Sequence, residues 1–569
     1  MNRLSQRALP LLLLPALAAS AAGQDAPAED PLTIARRLEA RQMTLIRRLA
    51  PSVAAVFQEG KPGGGSGVII DPRGYVLTNF HVSSTSRRLE VGLNDGRKYR
   101  AVLLGIDPGG DIALLRLEDR LRQRWPAVPL GDSDAVRPGE RVYAMGNPFL
   151  LAEDFAPTVT QGVVSGVHRY RDATGSTDLV YGDCIQIDAS INPGNSGGPL
   201  FSARGELLGI NGLGGFRPDR GRVNVGVGFA ASINQIKNFL LDLRACKQCQ
   251  HGTMNATVRD IPRQDGRTTR PVIDAITRES NAYAAGLRLG DEVIGFEGEP
   301  IRVQNELLTR ISRLPTGRRV TLRVRRFDEG GGEPKELDCT FRLEPLWSGP
   351  PVGRWKPEPK LLARETGEIL ASHRASRPPR DYVRRERVTR GEEVFERTIR
   401  AHGRKLRIER GLGADQVIEV YDGKQGWTLS KGKLAPLKPG RRDELAGTTL
   451  AIAALREAGG EVALQELRFL GGEWVEGRSA VELETRDQAG RRRKLYLDAA
   501  TYRLIGWAYP LNEGSDWVER TEGLDGEGRR VVTTRGWDQG ILLERAVVLE
   551  ERVEAQDPAL FKAPSEGGQ

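Results

Sequence analysis

Between residues 52 and 242 the chain alternates short β-branched runs with turns rich in Gly, Pro, Asn and Asp. Runs of this length and spacing are typical of closed antiparallel β-barrels. The pattern therefore predicts a mainly β fold for this part of the chain, with a closing helix over Ile233–Arg244.

One turn within this region carries the residue types of a nucleophile site. Ser196 is flanked by glycines, which allow backbone N–H groups to point at one spot beside its hydroxyl. Upstream, His81 follows an apolar run and Asp111 opens a buried strand. The chain order His, Asp, Ser is one of the orders known for a serine triad. We therefore predict His81, Asp111 and Ser196 as catalytic residues, with an oxyanion hole at Gly194, Asn195 and Ser196.

These residues lie in segments that resemble the HtrA (Deg) family of chymotrypsin-like serine proteases. The matching segments occur in family order and at family-like spacing over about a third of the chain: 65–70, 78–82, 111–115, 146–149, 158–165, 186–200 and 226–230. The resemblance implies two six-stranded β-barrels, a serine-type endopeptidase and a homotrimer or larger homo-oligomer. It also implies a preference for small aliphatic residues at the cleavage position.

The specificity pocket is predicted from the same resemblance. Val227, Gly228 and Phe229 would form one wall of this pocket. No aspartate stands at an obvious floor position, which disfavours cleavage after Lys or Arg. Family loops equivalent to 212–222 move between inactive and active arrangements, which implies regulated activity.

Residues 252–346 resemble a PDZ domain, through the signature at 280–294. PDZ domains bind extended peptides by adding a strand at a sheet edge, and capture the C-terminal carboxylate with backbone N–H groups. The predicted carboxylate loop is Met254, Asn255 and Ala256. Asn255 stands where the family has glycine, but Asn tolerates the left-handed backbone that such a loop needs. A structural spacer is the alternative role for this domain.

The rest of the chain divides by composition. Residues 1–22 have the charged start, apolar core and small residues of a secretory signal peptide. Residues 23–51 are predicted as a tail with an amphipathic helix over 33–49, ahead of a protease domain at 52–245. A Pro-, Gly- and Arg-rich linker is predicted over 347–379. Residues 380–565 are predicted as a mostly antiparallel β domain with a helical patch at 444–458, and resemble LolA-like lipoprotein carriers.

Length, charge and cysteine content limit the number of domains and the kinds of site that the chain is expected to hold. A chain of 569 residues is expected to hold three or four domains. The net charge of +9 is a mild excess, and no nucleic-acid motif is visible. Cys246 and Cys249 could form a disulfide, stay as idle thiols, act in redox chemistry or, with His251, supply a zinc half-site. No metal or organic cofactor is implied.

Three functions remain open from the sequence. The first is an exported, periplasmic or secreted serine endopeptidase that acts on unfolded or misfolded envelope proteins and selects peptide C-termini through the PDZ domain. The second is a periplasmic chaperone or binding protein with little proteolysis. The third adds a lipid or lipoprotein sensor in the C-terminal domain.

Overall fold

The structure is a computed structural model, and it separates into two units, 1–48 and 49–569. It describes residues 30–58, 64–84, 86, 88–118, 124–147, 154–171, 181–216, 224–263, 265, 267–327, 333–346, 359–375, 381–390, 393–402, 405–411, 415–422, 425–431, 433–438, 467–475, 478–486, 492–510, 517–524, 530–536, 542–553 and 562. The predicted signal peptide and the helical patch at 444–458 lie outside these residues. No helix among the described residues is long and apolar enough to cross a membrane.

The described residues of the first unit, 30–48, form helix α1, which spans Pro31–Leu49 and ends at the first residue of the second unit. Asp30 accepts hydrogen bonds from the N–H and hydroxyl of Thr33, both at 3.2 Å, which satisfies donors of the first turn. Apolar side chains at Leu32, Leu38 and Met43 are about half exposed. The helix predicted at this place is therefore present, and it presents apolar surface.

The first β-barrel is closed and has six strands in the order β1-β2-β3-β6-β5-β4. A short 3₁₀ turn, Ala50–Ser52, leads into it. Its strands are β1 Val53–Gln58, β2 Gly64–Asp71, β3 Tyr75–Thr78, β4 Arg88–Leu93, β5 Lys98–Asp107 and β6 Ile112–Leu117, and helix α2, Phe80–Ser83, follows β3. Inward aliphatic side chains from all six strands fill the interior.

The second barrel is also closed, in the order β10-β11-β12-β9-β8-β7. Its strands are β7 Arg141–Gly146, β8 Thr158–Arg171, β9 Tyr181–Ile187, β10 Pro199–Ser202, β11 Leu207–Phe216 and β12 Asn224–Ser232. The closing helix, α3, spans Ile233–Arg244, and Ser232 caps it by accepting the N–H of Gln235. The two barrels confirm the fold class predicted from the sequence.

A six-stranded sheet with its own apolar core follows the barrels, in the order β14-β15-β16-β18-β19 with β17 paired to β16. The elements are β13 Gly252–Thr253, β14 Ala256–Pro262, β15 Thr269–Ile276, α4 Asn281–Ala284, β16 Glu292–Phe296, β17 Glu299–Pro300, α5 Gln304–Ser312, β18 Arg319–Arg326, β19 Lys335–Arg342 and β20 Glu344–Pro345. Strand β14 pairs with β15 on one side and ends the sheet on the other. It is thus an edge strand within the described structure.

The C-terminal region begins with helix α6, Pro359–Ala375, inside the stretch that was predicted as a linker. That part of the prediction is wrong, because the helix buries Ile369 and Leu370 under a large sheet. The sheet has thirteen antiparallel strands in the order β26-β25-β24-β23-β22-β21-β33-β32-β31-β30-β29-β28-β27. Its strands are β21 Asp381–Arg390, β22 Glu393–His402, β23 Lys405–Arg410, β24 Val417–Tyr421, β25 Gly426–Ser430, β26 Lys433–Pro436, β27 Arg468–Val475, β28 Arg478–Arg486, β29 Arg492–Asp498, β30 Leu504–Pro510, β31 Trp517–Leu524, β32 Arg530–Gly536 and β33 Leu542–Val553.

Candidate active site

The structure brings His81 and Asp111 together at one end of the β3–β6 pair. Strand β3 leads into α2, which carries His81, and Asp111 lies immediately before β6. The His81 Nδ1 atom lies 2.8 Å from Asp111 Oδ2, and the same carboxylate accepts the backbone N–H of His81 at 3.0 Å. Asp111 is fully buried, whereas the side chain of His81 is 46% exposed. The pair is therefore open to a substrate on the histidine side only.

The backbone of Asp111 adopts a left-handed conformation, with φ +55°. Aspartate is among the residues that tolerate this region. Its carbonyl oxygen accepts the side-chain amide of Asn79 at 2.8 Å and the N–H of Phe80 at 3.1 Å. These bonds fix the turn that aims the carboxylate at His81.

The electrostatics of the pair favour a protonated imidazole. Partial burial of His81 by itself lowers the pKa of the imidazole. The hydrogen bond and negative charge of Asp111 outweigh this effect, so the pKa of His81 is raised from its ordinary value. An imidazole held in this way accepts a proton readily through its remaining nitrogen.

The candidate nucleophile lies on a tight turn after β9. Gly194 and Gly197 have φ values of +102° and +86°, which glycine adopts without strain. The N–H of Asn195 donates to the carbonyl oxygen of Asn192 at 3.0 Å, so it is occupied within the turn. Among the described residues, the N–H groups of Gly194 and Ser196 donate to no oxygen. The oxyanion hole at Gly194, Asn195 and Ser196 stays a prediction, and of its three N–H groups that of Asn195 is already hydrogen-bonded within the turn.

The Ser196 hydroxyl donates a long hydrogen bond, 3.4 Å, to the carbonyl oxygen of Gly212 on β11. The described structure records no hydrogen bond between Ser196 and His81. Catalytic hydrogen bonds are often long or misaligned before substrate binds.

Sequence reasoning missed Ser66, which supports this turn from the first barrel. Its hydroxyl donates to the carbonyl oxygen of Gly194 at 2.6 Å and accepts the N–H of Asn147 at 2.9 Å. Its own N–H donates to the carbonyl oxygen of Ser196 at 2.8 Å. A Cβ on Gly197 would come within 2.2 Å of the Ser66 carbonyl oxygen. The glycines on both sides of Ser66 are the sequence signal that could have indicated this close approach between strand β2 and the turn.

The predicted pocket wall lies on β12, next to β9. Val227 and Phe229 pack with the buried side chain of Cys184. A Cβ on Gly228 would lie 2.8 Å from the Ile191 side chain, so only glycine fits there without displacement. The side chains that pack here are apolar, the pocket wall stays a prediction, and part of the loop at 212–222 lies outside the described residues.

The predicted carboxylate loop lies at the start of edge strand β14. Asn255 has φ +50°, the left-handed conformation in which Asn replaces glycine at low cost. Its carbonyl oxygen accepts the N–H of Thr277 at 3.0 Å. Met254 is buried in the core of this sheet, and Ala256 pairs with Ile276. A contribution of Met254 to a ligand would therefore come from its backbone.

The cysteines of the motif form no disulfide in the described structure. All four cysteines of the chain are buried thiols, and burial raises the pKa of the Cys249 thiol well above its usual value. His251 bonds instead to Asp107, through Nε2 at 2.9 Å, and to the carbonyl oxygen of Ser312 through Nδ1. Cys246, Cys249 and His251 thus form no metal site in the described part of the chain.

A different histidine, His168, lies between two carboxylates. Its Nδ1 is 3.1 Å from Asp183, and Asp134 is close enough to share a cation with them. The guanidinium of Arg313 already lies there, 2.9 Å from Asp134 and 3.4 Å from Asp183. Arg313, which follows helix α5, therefore links the domain of the six-stranded sheet to the second barrel through these ion pairs.

Comparison with known proteins agrees with this geometry. Residues 65–210 match the trypsin-like peptidase domain family. The periplasmic serine endoprotease DegP of Escherichia coli K12 is 34% identical over 314 residues, a match that covers 52% of this chain and 62% of that protein. A probable periplasmic DegP-like serine endoprotease of a Marinomonas species is 31% identical over 373 residues, covering 63% of this chain and 71% of that protein.

Among solved structures, an HtrA-type protease, AlgW with a tripeptide, shares 30% identity and aligns with a TM-score of 0.44, over 55% of this chain and 98% of its own. The chain spans less than two thirds of the length of the E. coli relative but more than two thirds of the Marinomonas relative. Together with the two closed barrels, the sequence matches assign the chain: it belongs to the HtrA family of serine proteases.

Proposed function

We propose that this protein is a periplasmic serine endopeptidase that hydrolyses peptide bonds in unfolded or misfolded envelope proteins. The observation that carries the proposal is the His81–Asp111 pair, joined at 2.8 Å and open on the histidine side. The names of the related periplasmic endoproteases support the same activity and compartment.

In the proposed mechanism the Ser196 hydroxyl attacks the scissile carbonyl. His81 accepts its proton through Nε2 and later delivers it to the leaving amine, while Asp111 holds the imidazole and stabilises its protonated form. The N–H groups of Gly194 and Ser196 would bind the tetrahedral oxyanion, each contributing about 3–4 kcal/mol of barrier reduction. Water then repeats the cycle on the acyl-enzyme.

Peptide capture by the third sheet is the second part of the proposal. Strand β14 offers an unpaired edge, and the left-handed Asn255 begins it, as a carboxylate loop requires. Helix α5 lies beside this strand, since Asp260 on β14 accepts the N–H of Gln304 at 2.8 Å. The expected ligand is an extended peptide with a free C-terminus.

A homotrimer or larger homo-oligomer also belongs to the proposal. The exposed Leu32, Leu38 and Met43 on α1 are apolar surface that a second copy of the chain would cover. A lipid or lipoprotein at the C-terminal domain stays a prediction from the sequence.

The decisive experiment compares casein cleavage by the wild type with that by Ser196→Ala. We expect a loss of about 10⁶-fold in kcat, because the triad acts as a unit. Ser165→Ala is the matched control: it makes the same change on β8, and the residue is exposed. Covalent labelling by a fluorophosphonate should likewise require Ser196.

Residual cleavage by Ser196→Ala equal to that of the wild type would contradict the proposal. If neither protein cleaves casein nor reacts with the label, and both suppress its aggregation, the chaperone alternative is the correct one.

A further inference from the structure

Helix α6 of the C-terminal region inserts a carboxylate into the first barrel. Glu365 accepts a hydrogen bond from the Tyr75 hydroxyl at 2.5 Å and from Arg244 Nε at 3.1 Å. Arg116 Nη1 lies 3.7 Å from the same carboxylate. We call these four residues the α6 clasp. It joins the C-terminal region to strands β3 and β6 and to helix α3.

The α6 clasp is closed to solvent. Glu365 is 1% exposed and Arg116 is 2% exposed. The guanidinium groups of Arg116 and Arg244 lie 4.2 Å and 5.1 Å from the centre of the Tyr75 ring, in cation–π contact. Because buried charges are costly unless they are paired, removing the carboxylate would leave Arg244 without its carboxylate partner, whereas Arg116 would keep its 2.8 Å ion pair with Glu368.

The strands held by the α6 clasp, β3 and β6, are the two that adjoin His81 and Asp111. Tyr75 and Arg116 face each other in the β3–β6 register, and the pairing continues to Thr78 and Ala113. The opposite end of this ladder, at Thr78 and Ala113, lies about 10 Å away at ~3.3 Å per residue, and the chain leads on from there to His81 and Asp111. The clasp and the catalytic pair therefore lie at the two ends of one short ladder.

Further contacts dock the C-terminal region on the same side. Leu241 and Ala245 of α3 and its C-terminus pack with the core formed by α6 and strands β27–β29. Gly472 donates its N–H to Asp242 at 3.2 Å. A Cβ on Gly471 would lie only 2.0 Å from Asp242 Oδ1, so glycine is required for this close approach.

We propose that the C-terminal domain is a brace for the catalytic end of the first barrel, with Glu365 as a positioning residue. Docking of α6 fixes the β3–β6 ladder and thereby holds His81 and Asp111 in register with the Ser196 turn. The inference rests on the proposed protease function for its kinetic consequence, but not for its structural one.

The test uses the full chain with Glu365→Gln, and Glu396→Gln as the matched control. Glu396 lies on β22 of the same domain and is exposed, with ion pairs to surface arginines. We expect kcat for casein and the rate of fluorophosphonate labelling to fall about 10- to 100-fold in Glu365→Gln, with KM nearly unchanged, since small misplacements of catalytic groups have effects of this size. The control should match the wild type.

Hydrogen exchange separates bracing from general destabilisation. In Glu365→Gln, amide exchange should accelerate over 75–81 and 111–117 while the second-barrel strands β10–β12 keep their wild-type rates. Gly471→Ala, which disturbs docking at α3 without touching the clasp, should produce the same local pattern. This variant keeps the test informative if Glu365→Gln does not fold.

Unchanged labelling and unchanged exchange in both variants would overturn the brace, as would equal acceleration in both barrels. Failure of the wild type to cleave or to be labelled would instead refute the proposed protease function, and the exchange pattern would still decide the structural claim.

Discussion

Two histidine–aspartate pairs lie on either side of the short turn between β5 and β6. His81 meets Asp111 at the start of β6, and His251 meets Asp107 at the end of β5. In both, an imidazole nitrogen lies within 3 Å of a buried carboxylate. They differ in what surrounds the histidine.

His81 is open and His251 is closed. The side chain of His81 is 46% exposed, so its Nε2 can meet a substrate. The side chain of His251 is 2% exposed, and both its nitrogens are engaged, one by Asp107 and the other by the Ser312 carbonyl oxygen. A histidine–aspartate pair can therefore move a proton where one imidazole nitrogen is left open to solvent. Where both nitrogens are hydrogen-bonded, the pair instead joins the first barrel to the domain of the six-stranded sheet.

Asp111→Asn and Asp107→Asn are the sharpest way to break this comparison. In Asp111→Asn we expect kcat to fall about 10⁴-fold, because the amide stabilises the wrong imidazole tautomer. Asp107→Asn should leave kcat within a few-fold of the wild type, since its histidine faces no substrate. Steady-state hydrolysis of casein measures both. Comparable losses in the two variants would mean that the closed pair is also part of the machinery.

Stability should respond in the opposite order. His251→Ala leaves the Asp107 carboxylate buried without its partner, which we expect to lower the free energy of unfolding by about 3–5 kcal/mol. His81→Ala removes a half-exposed side chain and should cost about 1 kcal/mol or less. Urea unfolding followed by tryptophan fluorescence compares the two. A larger loss in His81→Ala would show that the open pair carries the fold.

The sequence predicted the open pair but not the closed one, for a physical reason. His81, Asp111 and Ser196 lie in local segments whose residue types already specify a turn or a strand end. His251 lies 144 residues from Asp107, and its neighbours in sequence are two cysteines that suggested a metal site. Nothing local to His251 encodes the partner that the packing of two domains supplies.

The sequence of helix α6 contains an apolar pattern that predicts a helix, but the composition around it favoured a linker. Leu362, Thr366, Ile369 and Leu370 follow helical spacing, and three of them are apolar. The surrounding Pro, Gly and Arg residues favoured a linker, because composition over a long window hides one short apolar stripe. Strand β21 shows a different limit of composition: Arg384 and Glu386 are buried in it, and Arg397 on β22 pairs with Glu386 at 2.6 Å. Charged residues normally indicate surface, but here Glu386 is neutralised by Arg384 on its own strand and by Arg397 on the paired strand.

The pH dependence of the two pairs should run in opposite directions. The pKa of His81 is raised because Asp111 outweighs partial desolvation. A general base must be neutral, so kcat/KM should decline as pH falls through a value above the ordinary 6.5 of histidine. The pKa of His251 is also raised: burial alone lowers it, but Asp107 and the Ser312 carbonyl oxygen more than compensate.

A raised pKa in the folded state makes the protonated His251 a source of stability. That contribution is complete below the unfolded pKa and is lost as pH rises through the folded one. Mild acid should therefore suppress cleavage while preserving the closed pair, and mild alkali should do the reverse. Measuring kcat/KM and the urea midpoint across pH 5–9, for the wild type and His251→Gln, checks this. His251→Gln should lose the alkaline decline in stability that comes from this pair while keeping the acid decline in kcat/KM, and a variant that loses both would show that the two pairs titrate as one.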